Sequence, residues 1–230
     1  MLTRSRPAWL TPLIILVVIP SVAWVGALFL RDKQYGVISF LLAFLSCLPF
    51  YLSFERKKNQ TAELVLIAVM IALAVLGRVI FAPLPGMSPV TAIASLTALS
   101  FGPASGFLVG SLSAVVSNML FGQGPWMPFQ MMAWGLTGYA AGALGKQGFL
   151  NRRFELAIFG FCSGITFSLI MDVWTVLALG DGFQWFRYLA ILATAAPFTL
   201  IYGVSNAVFL VLLKQPIGRR LERIRKKYGL

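Results

Sequence analysis

The chain has 230 residues, 59% of them hydrophobic and 11% charged, with a formal charge of +12 and a mean hydropathy of +0.84. Soluble domains carry about 25% charged residues, so a water-soluble globule is excluded and an integral membrane protein is indicated. With no histidine at all, the chain lacks the commonest general base, metal ligand and partner of a nucleophilic serine or cysteine.

A spanning helix needs about 20 apolar residues, and unpaired backbone cannot face lipid, so the apolar runs are read as helices. They cover residues 9–30, 37–54, 62–82, 89–101, 104–121, 127–145, 155–179 and 186–213, which predicts an all-α membrane protein of about eight transmembrane helices. The basic start MLTRSR and the small residues Ser21 to Ala23 admit a cleavable signal peptide. The apolar run continues to Leu30, which favours a retained helix. Cys47 and Cys162 fall within predicted spans as apolar filling, without metal-ligand spacing. The run at 89–101 lies between Pro83, Pro85 and Pro89 on one side and Gly102-Pro103 on the other, so it predicts a short, tilted or partial helix.

Orientation follows from Lys and Arg. With the N-terminus in the cytoplasm, all of the 19 basic residues except Arg31, Lys33, Arg78 and Arg187 fall on inside segments. Both termini are therefore expected to be cytoplasmic, and the net charge reads as topology without any nucleic-acid partner. Within the tail at 216–230, IGRRLERIRKKYGL (217–230) places Ile217, Leu221, Ile224 and Tyr228 at helical spacing among basic residues. They predict an amphipathic helix on the anionic inner leaflet or a charged stop-transfer tail.

In this topology the intramembrane polar residues gather toward the outer face. VSNMLFGQGPWMPFQMMAWGLTGY, residues 116–139, carries Asn118, Gln123, Trp126, Gln130 and Trp134, and Arg78, Asp172, Trp174, Trp185 and Tyr188 map to the same half. A buried ion is costly unless paired or hydrated, so Arg78 and Asp172 are expected to pair or to line a wet cavity. Aromatic belts account for some Trp and Tyr at helix ends, but not for the amides beside them. Such a mixture suits a small-molecule site open to the outside. GFLVGSLSAVVSN (106–118) and GFCSGITFSLIMD (160–172) share a glycine pair four apart and a polar residue eight further on, as a short parallel repeat or as small-residue helix packing. Ala68-x-x-x-Ala72 and Gly138-x-x-x-Gly142 have the spacing of close helix packing.

No Gly-rich loop precedes Lys-Ser/Thr, so the chain has no P-loop motor. Asp172 is the one acid deep within a predicted span, which supports neither an aspartyl protease nor a chain of proton-carrying acids. A binding protein energised by partners fits this inventory better than an enzyme.

LIAVMIALAVLGRVIF with Ala68 and Ala72, the loop APLPGMSP, the short helix after it and FGPASGFLVGSLSAVVSNMLFGQGPWMPFQMMAWGLTGYAAG together resemble the S component of an energy-coupling factor (ECF) transporter, a bacterial vitamin importer. The resemblance implies a six-helix substrate-binding core over residues 61–215, preceded by a two-helix extension (1–60) and followed by the basic cytoplasmic tail (216–230). It implies a multi-pass protein of the bacterial cell membrane, no catalytic cofactor, and partners in a transmembrane coupling subunit and two ATP-binding subunits that use ATP. Ala68 and Ala72 would face the coupling subunit, the loop around Met87 would act as a lid, and Arg78, Asn118, Gln123, Trp126, Gln130, Trp134, Asp172, Trp185 and Tyr188 would line the vitamin site. The two extra helices and the tail ending KKYGL are most similar to the cobalamin-specific S component, so cobalamin (vitamin B12) is the expected ligand, with riboflavin or queuosine as alternatives. Two other classes remain open at this point: a membrane enzyme acting on a lipid or isoprenoid through Asp172 and Arg78, and a self-sufficient channel or secondary carrier.

Overall fold

The computed structural model describes residues 61–179 and 182–228, together with Cys47 and Tyr51. Six apolar helices follow one another: α1 (Thr61–Ile80), α2 (Val90–Phe101), α3 (Pro103–Phe121), α4 (Met127–Lys146), α5 (Arg153–Ala178) and α6 (Trp185–Leu213). A π-helical turn, Lys214–Gly218, then leads into α7 (Arg219–Tyr228). No strand occurs among the described residues. The first two predicted spans, and with them the eight-helix count and the signal-peptide alternative, lie outside the described residues. The six later runs coincide with α1 to α6.

Four helices, α1, α3, α5 and α6 with its continuation, are long and apolar enough to cross a membrane. α4 has the length at 20 residues but is diluted by Gln130, Thr137 and its glycines. α2 has 12 residues, about 18 Å at about 1.5 Å each, too short for a bilayer core of about 30 Å. It sits at the centre of the bundle, buried on nearly every side and in contact with each of the other five core helices. Pro89 and the Gly102-Pro103 pair set its ends, and Gly102 has a φ of +102°, which only glycine adopts cheaply.

Two antiparallel hairpins enclose α2. In α3–α4, Gly106 and Gly110 face the backbones of Gly138 and Trp134; a methyl group on Gly106 would stand 2.9 Å from the Gly138 carbonyl oxygen. In α5–α6, Gly160 and Gly164 face Ala207 and Gly203 in the same manner. The repeat seen in the sequence is thus two copies of one packing device, in which absent side chains let two helix backbones touch.

The tail departs from expectation. Leu221 is 3% exposed and belongs to the core cluster, with Ile217 and Ile224 packed beside it, so most of the apolar face of α7 is used on the protein itself rather than on a bilayer. Arg225 fixes the docking by donating to the Ser100 carbonyl at 3.3 Å. That carbonyl belongs to the last turn of α2, where unpaired acceptors and the negative end of the helix dipole favour a cation. Tyr51 of the preceding segment is attached to α3, its hydroxyl donating to Ser111 Oγ at 3.0 Å and its ring meeting Phe107 edge-on.

Candidate functional site

At the end of the bundle where α1 finishes, the loop between α1 and α2 covers a cavity of about 250 Å³. The loop makes tight turns, Leu84 N–H to Phe81 O at 2.9 Å and Met87 N–H to Leu84 O at 3.1 Å. Gly86, at φ +79°, lies against Ile201 and Tyr202 of α6. Phe81 packs edge-on against Phe209, their centroids 4.7 Å apart, and Ser88 N–H reaches Ser205 Oγ at 3.4 Å. Met87 lines the cavity from this loop.

Arg78, in the last turn of α1, supplies the cavity's charge. Its Nη1 donates to Ser117 Oγ and, at 2.9 Å, to Asn118 Oδ1. Asn118 Nδ2 in turn donates to Gln130 Oε1 at 2.8 Å. Asn118 is 1% exposed, so its amide is consumed by this relay, whereas Gln130, whose Oε1 takes part in it, also lines the cavity. The relay orients both end members, since an amide must present oxygen to the guanidinium and nitrogen to the other carbonyl.

An aromatic wall continues from the guanidinium. Arg78 Cζ lies 4.7 Å from the centroid of Phe121 and 5.0 Å from that of Trp134, within cation–π range. Trp134 stacks on Phe167 with centroids 5.5 Å apart and planes 15° from parallel, and Phe167 meets Tyr202 edge-on at 5.2 Å. Asn206, held to Ser163 Oγ at 3.4 Å, and Thr91 of α2 complete the polar lining. Together α1, α4, α5 and α6 place a flat apolar surface, one cation and several amides around one volume.

The sequence-predicted residues divide. Arg78, Met87, Gln130 and Trp134 line the cavity, with Asn118 directly behind them. Gln123 does not: its Nε2 donates to the Val115 carbonyl at 3.2 Å, closing the end of α3. Trp126 folds over Gly124 at the start of α4 and lies outside the cavity lining. Trp185 and Tyr188 form an aromatic group with Phe183, centroids 5.2 to 6.1 Å apart. Trp185 is 52% exposed, as in an interfacial belt. The expected pairing of Arg78 with Asp172 is not made. Asp172 is 8% exposed and accepts from Ser168 Oγ at 3.4 Å, while Ser168 exchanges a 2.6 Å hydrogen bond with Thr199 of α6. The acid lies outside the cavity lining, and the link between α5 and α6 at this point is the Ser168–Thr199 hydrogen bond. Phe167, Tyr202 and Asn206 were missed; the available signal was their place beside Gly164 and Gly203, the glycines that bring α5 and α6 together.

On the flank of α1, Ala68 and Ala72 are exposed, among exposed Leu64, Val65, Val69, Leu73 and Leu76. They form a smooth apolar face away from the cavity.

Comparison with known proteins agrees with this architecture. A UPF0397 protein of Clostridium perfringens (strain SM101 / Type A) is 28% identical over 191 residues, which span 75% of this chain and 96% of that protein. No solved structure matches. The family model for the ECF-type riboflavin transporter S component matches residues 58–223, from just before α1 into α7, and the chain therefore belongs to that family of membrane transporter subunits.

Proposed function

We propose that the chain captures a vitamin with a flat heteroaromatic ring in the cavity beneath the 81–88 loop and delivers it to an ATP-driven import machinery. The observation that carries the reading is Arg78: it forms no ion pair among the described residues, yet it is ordered by Ser117 and Asn118 at the edge of the Trp134–Phe167 stack. A cation so placed selects a ligand whose ring lies on the aromatic wall and whose carbonyl or anionic edge accepts from Arg78 and Gln130.

Riboflavin is the first candidate. Its ring system is flat and edged with carbonyl acceptors, its name is carried by the family, and about 250 Å³ is near the lower limit of ligand pockets, roughly 300–1,000 Å³. Cobalamin, the ligand expected from the tail and the added helices, is a far bulkier macrocycle and would have to displace the 81–88 loop to enter. Queuosine shares the flat-ring chemistry. Equilibrium binding of all three to the purified chain without ATP decides the matter. Riboflavin binding at submicromolar affinity is expected, and a preference for cobalamin would reverse the assignment.

The exposed Ala68 and Ala72 face is the proposed contact with the coupling subunit, because small residues let a partner helix approach closely. The end bearing α7 faces the cytoplasm by the excess of basic residues there. Energy comes from two ATP-binding partners. Enzyme chemistry through Asp172 and Arg78 loses its footing, since Asp172 does not line the cavity and the family is one of transporter subunits.

A further inference from the structure

The opposite end of the bundle holds a second and larger cavity, of about 470 Å³. Gln130 at one end of α4 lines the first cavity and Gly145 at the other lines the second, some 22 Å apart at about 1.5 Å per residue. The floor of the second cavity is apolar: Leu96 and Leu99 of α2, Leu150 before α5, and Val211 of α6. Its rim is cationic, with Arg153 at the start of α5, Lys214 in the π-turn, and Arg219 and Arg225 on α7.

None of these four side chains forms a salt bridge among the described residues. The acid on the rim, Glu222, is engaged by Lys226 at 3.4 Å. Lys214 Nζ donates to the carbonyls of Leu150, at 3.2 Å, and Asn151, and Arg225 donates to the Ser100 carbonyl. These partners fix the two side chains in place without cancelling their charge. Arg153 and Arg219 are exposed and form neither an ion pair nor a side-chain hydrogen bond among the described residues. Like charges brought around one hollow repel, and an anion placed between them relieves the repulsion.

Two backbone departures shape this rim. Leu150 has a φ of +67°, uncommon for a branched side chain; it turns the chain so that the side chain enters the floor while the carbonyl faces Lys214. The π-turn at Lys214–Gly218 contributes Lys214, Gln215 and Gly218 to the cavity lining, and π-turns inside helices concentrate at functional sites.

We propose that this cavity binds a phosphate group carried on an apolar body, either the headgroup phosphate of an anionic phospholipid or a soluble phosphate ester. Arg153 and Arg219 grip the phosphate through paired N–H donors, Lys214 and Arg225 supply fixed charge behind them, and the leucine floor receives the apolar part. A rim at the basic end of the bundle is also where the anionic leaflet would present such a group. Vitamin binding at the other end is not required for this site.

The test uses the full chain and two probes. The first is native mass spectrometry of the chain extracted from phosphatidylcholine bilayers containing phosphatidylglycerol. The second is calorimetric titration of glycerol 1-phosphate into the delipidated chain in neutral detergent. One retained phosphatidylglycerol that glycerol 1-phosphate does not displace identifies the lipid as occupant; a saturable one-to-one isotherm with no retained lipid identifies the soluble ester. In either case R153Q/R219Q weakens binding by at least about tenfold, while R220Q/R223Q, which removes the same charge from α7 outside this cavity, leaves it within about threefold. Circular dichroism checks that both doubles stay folded. Absence of binding to either probe, or equal loss in both doubles, overturns the assignment.

Discussion

Arg78 and Asn118 are joined by a 2.9 Å hydrogen bond in which the guanidinium donates to the amide oxygen, leaving the amide nitrogen to hold Gln130 at 2.8 Å. Three helices, α1, α3 and α4, meet in this relay, so the packing of the bundle and the charge at the cavity are tied to one side chain. Asn118→Asp separates the two. The carboxylate would still accept from Arg78, and Gln130 would turn its amide nitrogen toward it, so the bundle should keep its melting temperature within a few degrees. The cavity, however, would lose its free positive charge, and riboflavin affinity should fall by about tenfold or more, about 1.4 kcal/mol. Asn118→Leu instead leaves Arg78 with Ser117 alone, strands Gln130 Oε1, and should cost about 2–3 kcal/mol of stability. Undiminished binding by Asn118→Asp, read by equilibrium titration, would remove Arg78 from recognition.

The glycine pairs set the width of the cavity by setting the spacing of its helices. A methyl on Gly110 would meet the Trp134 carbonyl, and one on Gly164 would meet the backbone of Gly203. Gly110→Ala and Gly164→Ala should each destabilise the detergent-solubilised chain by about 1–3 kcal/mol through forced separation of backbones. Gly218→Ala, with open space around its would-be Cβ, should be neutral or stabilising. Thermal unfolding of the three variants gives the order, and equal melting temperatures would contradict the packing described.

Helix positions were legible because Gly and Pro punctuate the apolar runs: the run read at 104–121 is α3 at 103–121, and that at 127–145 is α4 at 127–146. Facing was not legible. In a soluble helix the polar side marks the exterior, but here lipid is as apolar as the core, and a helix that is hydrophobic all round does not reveal which side it buries. Phe167 and Tyr202 therefore looked like any of the chain's 19 Phe and 6 Tyr, although both stand on the cavity wall. Asp172 failed for the same reason. Its burial within a span is legible from the sequence, but its direction, toward Ser168 and not Arg78, depends on helix rotation. Arg78, Asn118 and Gln130 come together at the cavity because a strongly polar group in a span has few places to go.

Two buried hydroxyls, Ser95 Oγ on α2 and Ser113 Oγ on α3, have no hydrogen-bond partner among the described residues. A hydroxyl desolvated without compensation costs about 1–3 kcal/mol. Ser95→Ala and Ser113→Ala should therefore leave the chain as stable or make it more stable by about 1 kcal/mol. A clear loss of melting temperature in either would mean that the hydroxyl has a partner, such as an ordered water.

Ala68 and Ala72 stand apart from the relay, exposed on α1. Ala68→Trp combined with Ala72→Trp should leave vitamin affinity within about threefold, since neither side chain touches the cavity. Transport in vesicles containing the full machinery should stop, because bulk on this face prevents close helix approach. Co-purification of the double variant with the coupling subunit in normal yield would place that interface elsewhere.

The sharpest contrast is between two aromatic groups at the same end of the bundle. Phe167 joins Trp134 to Tyr202 in the cavity wall, whereas Trp185 lies with Phe183 and Tyr188 on an exposed flank. If the ligand lies on the wall, Phe167→Ala removes a stacking partner and frees the Trp134 ring, and affinity should drop by at least about tenfold, since aromatic pairs contribute about 0.5–1.5 kcal/mol beyond the area they bury. Trp185→Ala should change affinity by less than about threefold and instead weaken anchoring at the membrane surface, where Trp rings prefer to sit. Quenching of intrinsic fluorescence by the ligand adds an independent reading, because among the described residues Trp134 is the tryptophan that lines the cavity. Trp134→Phe should abolish most of the quenching and Trp185→Phe should not. The reverse pattern would move the binding site to the α5–α6 loop and leave the cavity beneath residues 81–88 without a ligand.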